Sequence, residues 1–170
     1  GGETCHTAPS SMPGCAVVAV QCPQFVTDGL RCFWFIEGPG GAWTNHEHSK
    51  LKRCEAMLAA VSSLLDAVLA ALEVLCPGQG VQRRLLLLGV SMGGSAVLDF
   101  ARRFPERVGG AAVVSGHYDD RQVGELARDT ARVPLLLVHN PDDRACPFRT
   151  IEELHRERVS LRQADARGGD

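Results

Sequence analysis

Ser91 stands alone between glycines in GVSMGG (89–94), directly after the apolar run LLLL and directly before SAVLDFARRF. Glycine-rich turns commonly join strands to helices, and serine is an ordinary turn residue. The same spacing, G-x-S-x-G, also describes a nucleophilic serine carried on a strained strand-to-helix turn. In that geometry Gly89 and Gly93 let strand and helix approach, and the tight backbone lifts the hydroxyl above the sheet. The helix that follows aims its leading N–H groups and the positive end of its dipole at the reacting atom. The Met92 N–H, next in the chain, would then act as a backbone oxyanion donor. The chemistry such an arrangement performs is attack on an acyl carbonyl.

A serine nucleophile needs a base, and the base needs an orienting carboxylate. In open α/β sheets such groups gather beyond the carboxyl ends of the strands. The run LLLVH is followed by NPDDRACPF, which offers Asp142 and Asp143. Either one also suits a plain turn, but serine before acid is the chain order this chemistry uses.

No histidine fits the base cleanly. His155 lies inside TIEELHRERV and reads better as a partly exposed helical residue. His117, in SGHYDD, could reach the same crevice edge but precedes the acid. His46 and His48, in HEHS, place two ligands at i and i+2 without a third, which is weak ground for a metal; no metal site is expected.

The elements that must position these residues alternate strand and helix. AVVAV (16–20) reads as a short buried strand bounded by Gly14 and Pro23. LRCFWFIEG (30–38) is a second short strand or an ordered loop, followed by the loop PGGAWTNHEH. Leu51, Cys54, Leu58, Val61, Leu65, Val68, Leu72 and Leu75 recur at spacings of three and four, one stripe of a helix over 50–75 that is about 39 Å long. Pro77, Gly78 and Gly80 end it. The remaining pattern gives strands at 85–90, 110–115 and 135–139 and helices at 94–104, 122–131 and 150–163. A capping box is expected at the last helix, with Thr150 as N-cap and Glu153 three residues on. Strands apolar on both faces and separated by helices require a parallel sheet covered on both sides. The expected fold class is α/β, an αβα sandwich with a mostly parallel, doubly wound sheet. The expected organisation is an irregular segment at 1–14, a single domain at 15–163 and a polar tail at 164–170.

Composition narrows the partners. The 170 residues suit about one domain. Lys plus Arg number 18 against 20 Asp plus Glu, so there is no electrostatic footprint for nucleic acid or an anionic membrane. A small-molecule ester or acyl substrate is the expected partner. The seven cysteines are odd in number, scattered and free of C-x-x-C, which suits buried thiols in a reducing compartment rather than a zinc or disulfide framework. The first residues hold no apolar signal core. The most apolar window, AMLAAVSSLLDAVLAALEVL, is interrupted by Asp66 and Glu73 and makes a poor membrane span; no transmembrane segment is expected.

At this point the residues carry a resemblance. GVSMGGSAVLDFARRFPERVGGAAVVSG resembles the nucleophile region of α/β-hydrolases, and VPLLLVHNPDDRACPF resembles their HGxxDxxVP acid loop. VVAVQCPQ followed by CFWFIEG is similar to the P-x-A-P … WFD stretch of the acyl-protein thioesterase, or phospholipase/carboxylesterase, group. The resemblance covers residues 15–148. Aligning His139 and Pro147 with the acid loop implies that Asp143, not Asp142, is the triad carboxylate. It also implies a cytoplasmic carboxylic-ester or thioester hydrolase without metal or organic cofactor, with Trp34 and Phe35 near the acyl-binding cleft. Read from the residues alone, that aromatic pair is more often core than pocket.

The chain departs from the group in four respects. Met92 replaces the glutamine of GFSQGG, and His139-Asn140 replaces His-Gly. The group's Gly-His base loop and its His-Gly oxyanion strand have no counterpart here. The ends read as cut from something longer, which would place the base outside these residues. The expectation is therefore a serine hydrolase using Ser91 and Asp143, with a catalytically inactive hydrolase-fold binding protein as the alternative. Oligomeric state is left open.

Overall fold

A computed structural model describes residues 16–20, 55–77, 84–118 and 120–167. Its elements alternate as the apolar runs require. Helix α1 spans Glu55–Leu75, strand β1 Leu85–Val90, helix α2 Met92–Arg103, strand β2 Val108–Val114, helix α3 Val123–Asp129, strand β3 Leu135–Val138 and helix α4 Phe148–Arg167. Short 3-10 turns at Pro105–Arg107 and Asp120–Gln122 lead into β2 and α3.

The three strands form one parallel sheet in the order β1-β2-β3. Gly89 is opposite Val113, and Val114 is opposite both Val90 and Val138. Parallel neighbours need a crossover long enough to return the chain to the starting edge, and α2 and α3 supply it. The strands therefore present their carboxyl ends together, with Ser91, Ser115 and His139 as the residues that follow them.

Side chains alternate across each strand. Leu85, Leu87, Ala111, Val113, Leu135 and Leu137 face the helices. Leu98 of α2, Leu126 of α3 and Leu154 of α4 are fully buried against that face, each worth roughly 2 kcal/mol of transfer free energy. Helix α1 joins the same side through Leu58, Val61 and Leu65, and Arg107 reaches across to the Asp66 carboxylate at 2.6 Å. By length and composition Leu58–Leu75 could cross a membrane; Val74 and Leu75 are exposed.

The opposite sheet face carries Leu86 and Leu88, 83% and 72% exposed, with Val90, Leu136 and Val138 also open. Among the described residues the helices thus cover one face, and the second helical layer of the expected sandwich is not seen. Residues 16–20 have no strand pairing, and Ala16–Ala19 are exposed, which corrects the expected buried strand there. Val18 and Val20 instead line an apolar cavity of about 1140 Å³ shared with α1 and β1.

Two boundaries also differ from expectation. Helix α4 begins at Phe148, so Thr150 is its third residue and not its cap. Its hydroxyl donates to Asp120 at 2.5 Å, a partner from the preceding β2–α3 connection that local sequence cannot show. Residues 164–167 of the expected tail are helical, since Ala164, Asp165, Ala166 and Arg167 simply continue α4.

Candidate active site

Ser91 is the turn between β1 and α2, and its backbone has φ 54° and ψ −123°. Positive φ is costly for any residue with a Cβ, on the order of 1–3 kcal/mol where the surroundings enforce it. The surroundings do enforce it. Ser91 N–H donates to Val114 O of β2 at 2.8 Å, and Ser95 N–H returns to Ser91 O at 3.2 Å. The serine is held by sheet on one side and helix on the other. Its hydroxyl makes no cap bond to α2 and stands exposed, so its lone pairs are not spent on the helix.

Close approach explains the glycines, but not in the pattern the spacing suggested. A Cβ on Gly89 would lie 2.2 Å from Gly93 O, a clash of backbone with backbone. A Cβ on Gly93 would meet nothing within 4 Å, whereas one on Gly94 would stand 3.1 Å from both Gly116 Cα and Val113 Cγ1. The helix is drawn onto the sheet through Gly89 and Gly94; Gly93 lines the apolar cavity. Met92, the first residue of α2, carries one of the leading N–H groups that has no acceptor within the helix.

Asp143 lies in the loop after β3. Its Oδ1 accepts the N–H groups of Ala145 and Cys146, both at 2.9 Å. Those two backbone bonds hold the carboxyl below the usual carboxylate range, and the nearby His139 and a hydrogen bond from the Ser115 hydroxyl act in the same direction. Asp142 is exposed in the turn, its N–H donating to the Asn140 side chain at 3.0 Å.

His139, at the end of β3, is 1% exposed at its side chain and places Nε2 3.7 Å from Asp143 Oδ2. The same Nε2 is 2.7 Å from Cys146 O, so that nitrogen carries the hydrogen and Nδ1 is left as the acceptor. Nδ1 is buried without a hydrogen-bond partner. Cys146 completes the cluster. Burial pushes its thiol up and the Asp143 charge adds to this, while a hydrogen bond from the Ser91 hydroxyl opposes both. Cys146 thus donates its backbone N–H to Asp143, and the Ser91 hydroxyl is among the groups that bear on its thiol.

The remaining candidates fall elsewhere. His155 is exposed on α4. His117 is half-buried, its N–H donating to Ser95 Oγ at 3.1 Å, and its charge bears on Asp120. Trp34, Phe35, His46 and His48 lie outside the described residues. Among the described residues no group of three His, Cys, Asp or Glu side chains could hold a metal ion. Sequence reasoning missed Cys146 as a neighbour of Ser91 and Ser115 as a neighbour of Asp143. Ser115 had one local sign, a lone serine before glycine at the end of a buried strand; Cys146 had none.

No family model matches the chain, and no curated protein matches it. Solved structures similar to it include those of two proteins. One is a thermostable esterase, 22% identical with a TM-score of 0.45, over 59% of this chain and 26% of that one. The other is a variant of SOBER1 from Arabidopsis thaliana, 19% identical with a TM-score of 0.47, over 75% of this chain and 60% of that one. The chain thus spans about a quarter of the length of the first and three fifths of the second.

Proposed function

We propose that this chain carries the nucleophile and acid of a serine hydrolase acting on carboxylic esters or thioesters in the cytoplasm. Ser91 attacks the acyl carbonyl, and the Met92 N–H stabilises the oxyanion at the start of α2, where the helix dipole favours negative charge. Asp143 is the carboxylate that orients the base. The observation that carries the reading is the backbone of Ser91 at φ 54° and ψ −123° between a parallel strand and a helix. A strained, exposed serine with no capping bond has no structural reason to be there, and strain of this kind concentrates where mechanism needs it.

A second reading is binding of an ester or acyl ligand without turnover. One feature favours it: the Cys146 thiol, on which the Ser91 hydroxyl bears, is pushed up by burial and cannot act as a base while protonated. Without a base the serine is a weak nucleophile.

Labelling with a fluorophosphonate separates the two. Covalent labelling of the chain that disappears in Ser91→Ala is the expected result for the hydrolase. A folded chain that takes no label would leave the binding reading standing in its place.

A further inference from the structure

The loop that carries Asp143 is closed on itself. The Asp143 N–H donates to Asn140 O at 3.0 Å, and Oδ1 accepts the N–H groups of Ala145 and Cys146, both at 2.9 Å. These bonds set the loop's internal shape but do not reach the sheet. His139 does. It follows β3 directly, one residue beyond Val138, whose carbonyl accepts the Ser115 N–H at 2.8 Å, so its backbone is set by the ladder. Its side chain is 1% exposed, lies against the Phe148 ring at the start of α4 with centroids 5.8 Å apart, and places Nε2 2.7 Å from Cys146 O. A carbonyl oxygen only accepts, so Nε2 carries the hydrogen. Cys146 is thereby held on both sides, its carbonyl by His139 and its N–H by the Asp143 carboxylate. Histidine is a costly way to fill this space, because its Nδ1 is buried without a hydrogen-bond partner. An apolar side chain of the same size would avoid that cost, so what a histidine offers here is the Nε2–H.

We propose that His139 is a positioning residue for Asp143, holding the acid loop to the end of β3 through the Cys146 carbonyl. This inference rests on the hydrolase reading and deepens it. The 3.7 Å between Nε2 and Asp143 Oδ2 is too long for a hydrogen bond, so His139 acts on the carboxylate by way of the Cys146 backbone. At 1% exposure the imidazole does not meet a substrate, which separates this role from that of the base. The sheet carries the other half of the arrangement. Ser91 hangs on β2 through Val114 O, and the end of β2 hangs on β3 through Val138 O, both at 2.8 Å. Nucleophile and acid are thereby referred to the same row of strand ends.

Methionine and glutamine separate the donor from the volume. Each reaches about as far as histidine, and each removes the imidazole, so any effect of its charge on Asp143 is lost equally from both. Only glutamine offers an N–H near the place of Nε2. The positioning role predicts that the Asp143 carboxyl, followed by carbon-13 NMR of the folded chain, titrates about one pH unit higher in His139→Met than in His139→Gln. Fluorophosphonate labelling of Ser91 at neutral pH should be roughly tenfold slower in His139→Met than in His139→Gln. A space-filling role predicts the same Asp143 titration in both, and that result overturns the proposal. The wild-type chain supplies a check that needs no variant to fold. Nitrogen-15 NMR of the His139 ring should find the hydrogen on Nε2, and a neutral ring with its hydrogen on Nδ1 overturns the proposal as well. Failure of the hydrolase reading looks different: the wild-type chain would take no label at Ser91, while the ring tautomer and the carboxyl titration would still decide what His139 does.

Discussion

A methyl group on Gly89 would stand 2.2 Å from the carbonyl oxygen of Gly93. Both partners are backbone, so no rotamer change relieves the contact, and either the strand or the first turn of α2 must move. Gly89→Ala is expected to destabilise by on the order of 3 kcal/mol and to abolish labelling of Ser91. Gly93→Ala, whose new Cβ meets open space, should fold at least as well, gaining up to about 1 kcal/mol from helix propensity. Urea unfolding of the pair checks this. Equal behaviour of the two variants would mean that the elbow does not depend on the Gly89 approach.

Ser91 illustrates the opposite trade, in which the natural residue is the less stable choice. Relief of φ 54° favours glycine, while glycine's extra freedom in the unfolded chain costs roughly 0.5–1 kcal/mol. The strain term is the larger, so Ser91→Gly should raise stability by about 1 kcal/mol at an unchanged urea m-value. Ser91→Ala keeps the strain and should leave stability within about 0.5 kcal/mol of the wild type. Neither variant should take a fluorophosphonate label. A loss of stability in Ser91→Gly would show that the conformation is not strained in this setting.

How far these features could be read from sequence follows from how local their causes are. β1 was legible to the residue because LLLLGV is a continuous apolar run with a turn at its end, and the elbow was legible because its spacing is contiguous. β2 begins at Val108, two residues earlier than its pattern suggests, because Gly109 and Gly110 carry no side chain to reveal a strand. Helix α2 begins at Met92, two residues before the expected start at Gly94, since the strained turn launches the helix before propensity would. Thr150 looked like a cap, but its hydroxyl is taken by Asp120 from another element. Cys146 was silent and Ser115 showed only its place at a strand end, because what bears on Asp143 and Cys146 from elsewhere is brought near by the crossovers, and no window of sequence contains both partners.

The two lowered carboxyls make stability depend on acid. Burial alone would push the Asp120 carboxyl up, but hydrogen bonds from Thr150 and Arg149 outweigh it and hold it below its ordinary value; Asp143 is lowered by its backbone bonds to Cys146 and Ala145. A depressed folded pKa contributes stability that is fully present above the unfolded value, about 3.9, and is lost as pH falls through the folded value. Urea unfolding should therefore show stability falling in the window below about pH 4. Asp120→Asn and Asp143→Asn should each be less stable at pH 6 and decline less steeply in acid. A variant with the wild-type slope would show that its carboxylate is not held in solution.

Arg158 joins α4 to the end of α3 and puts two large terms in opposition. Its guanidinium is buried and donates to Thr130 O, to Thr130 Oγ1 at 2.7 Å and to Val133 O at 2.6 Å. Burial, with the charge of Arg162 adding to it, pushes the group down to about 10, which marks a cation held without full compensation. Arg158→Leu removes that cost and keeps an apolar side chain in place, but leaves the Val133 carbonyl short of a donor, at about 1–3 kcal/mol, and takes one bond each from Thr130 O and Thr130 Oγ1, which keep the Val133 N–H and Leu126 O as partners. The lost bonds are the larger side, and a net destabilisation of about 2 kcal/mol is expected. Arg158→Lys should be worse, since the buried charge stays while the fork that bridges three acceptors is lost. Urea midpoints for the two variants decide the matter. If Arg158→Leu matches the wild type while Arg158→Lys falls, the guanidinium's bonds only offset its burial, and the arginine specifies where α4 docks without stabilising it.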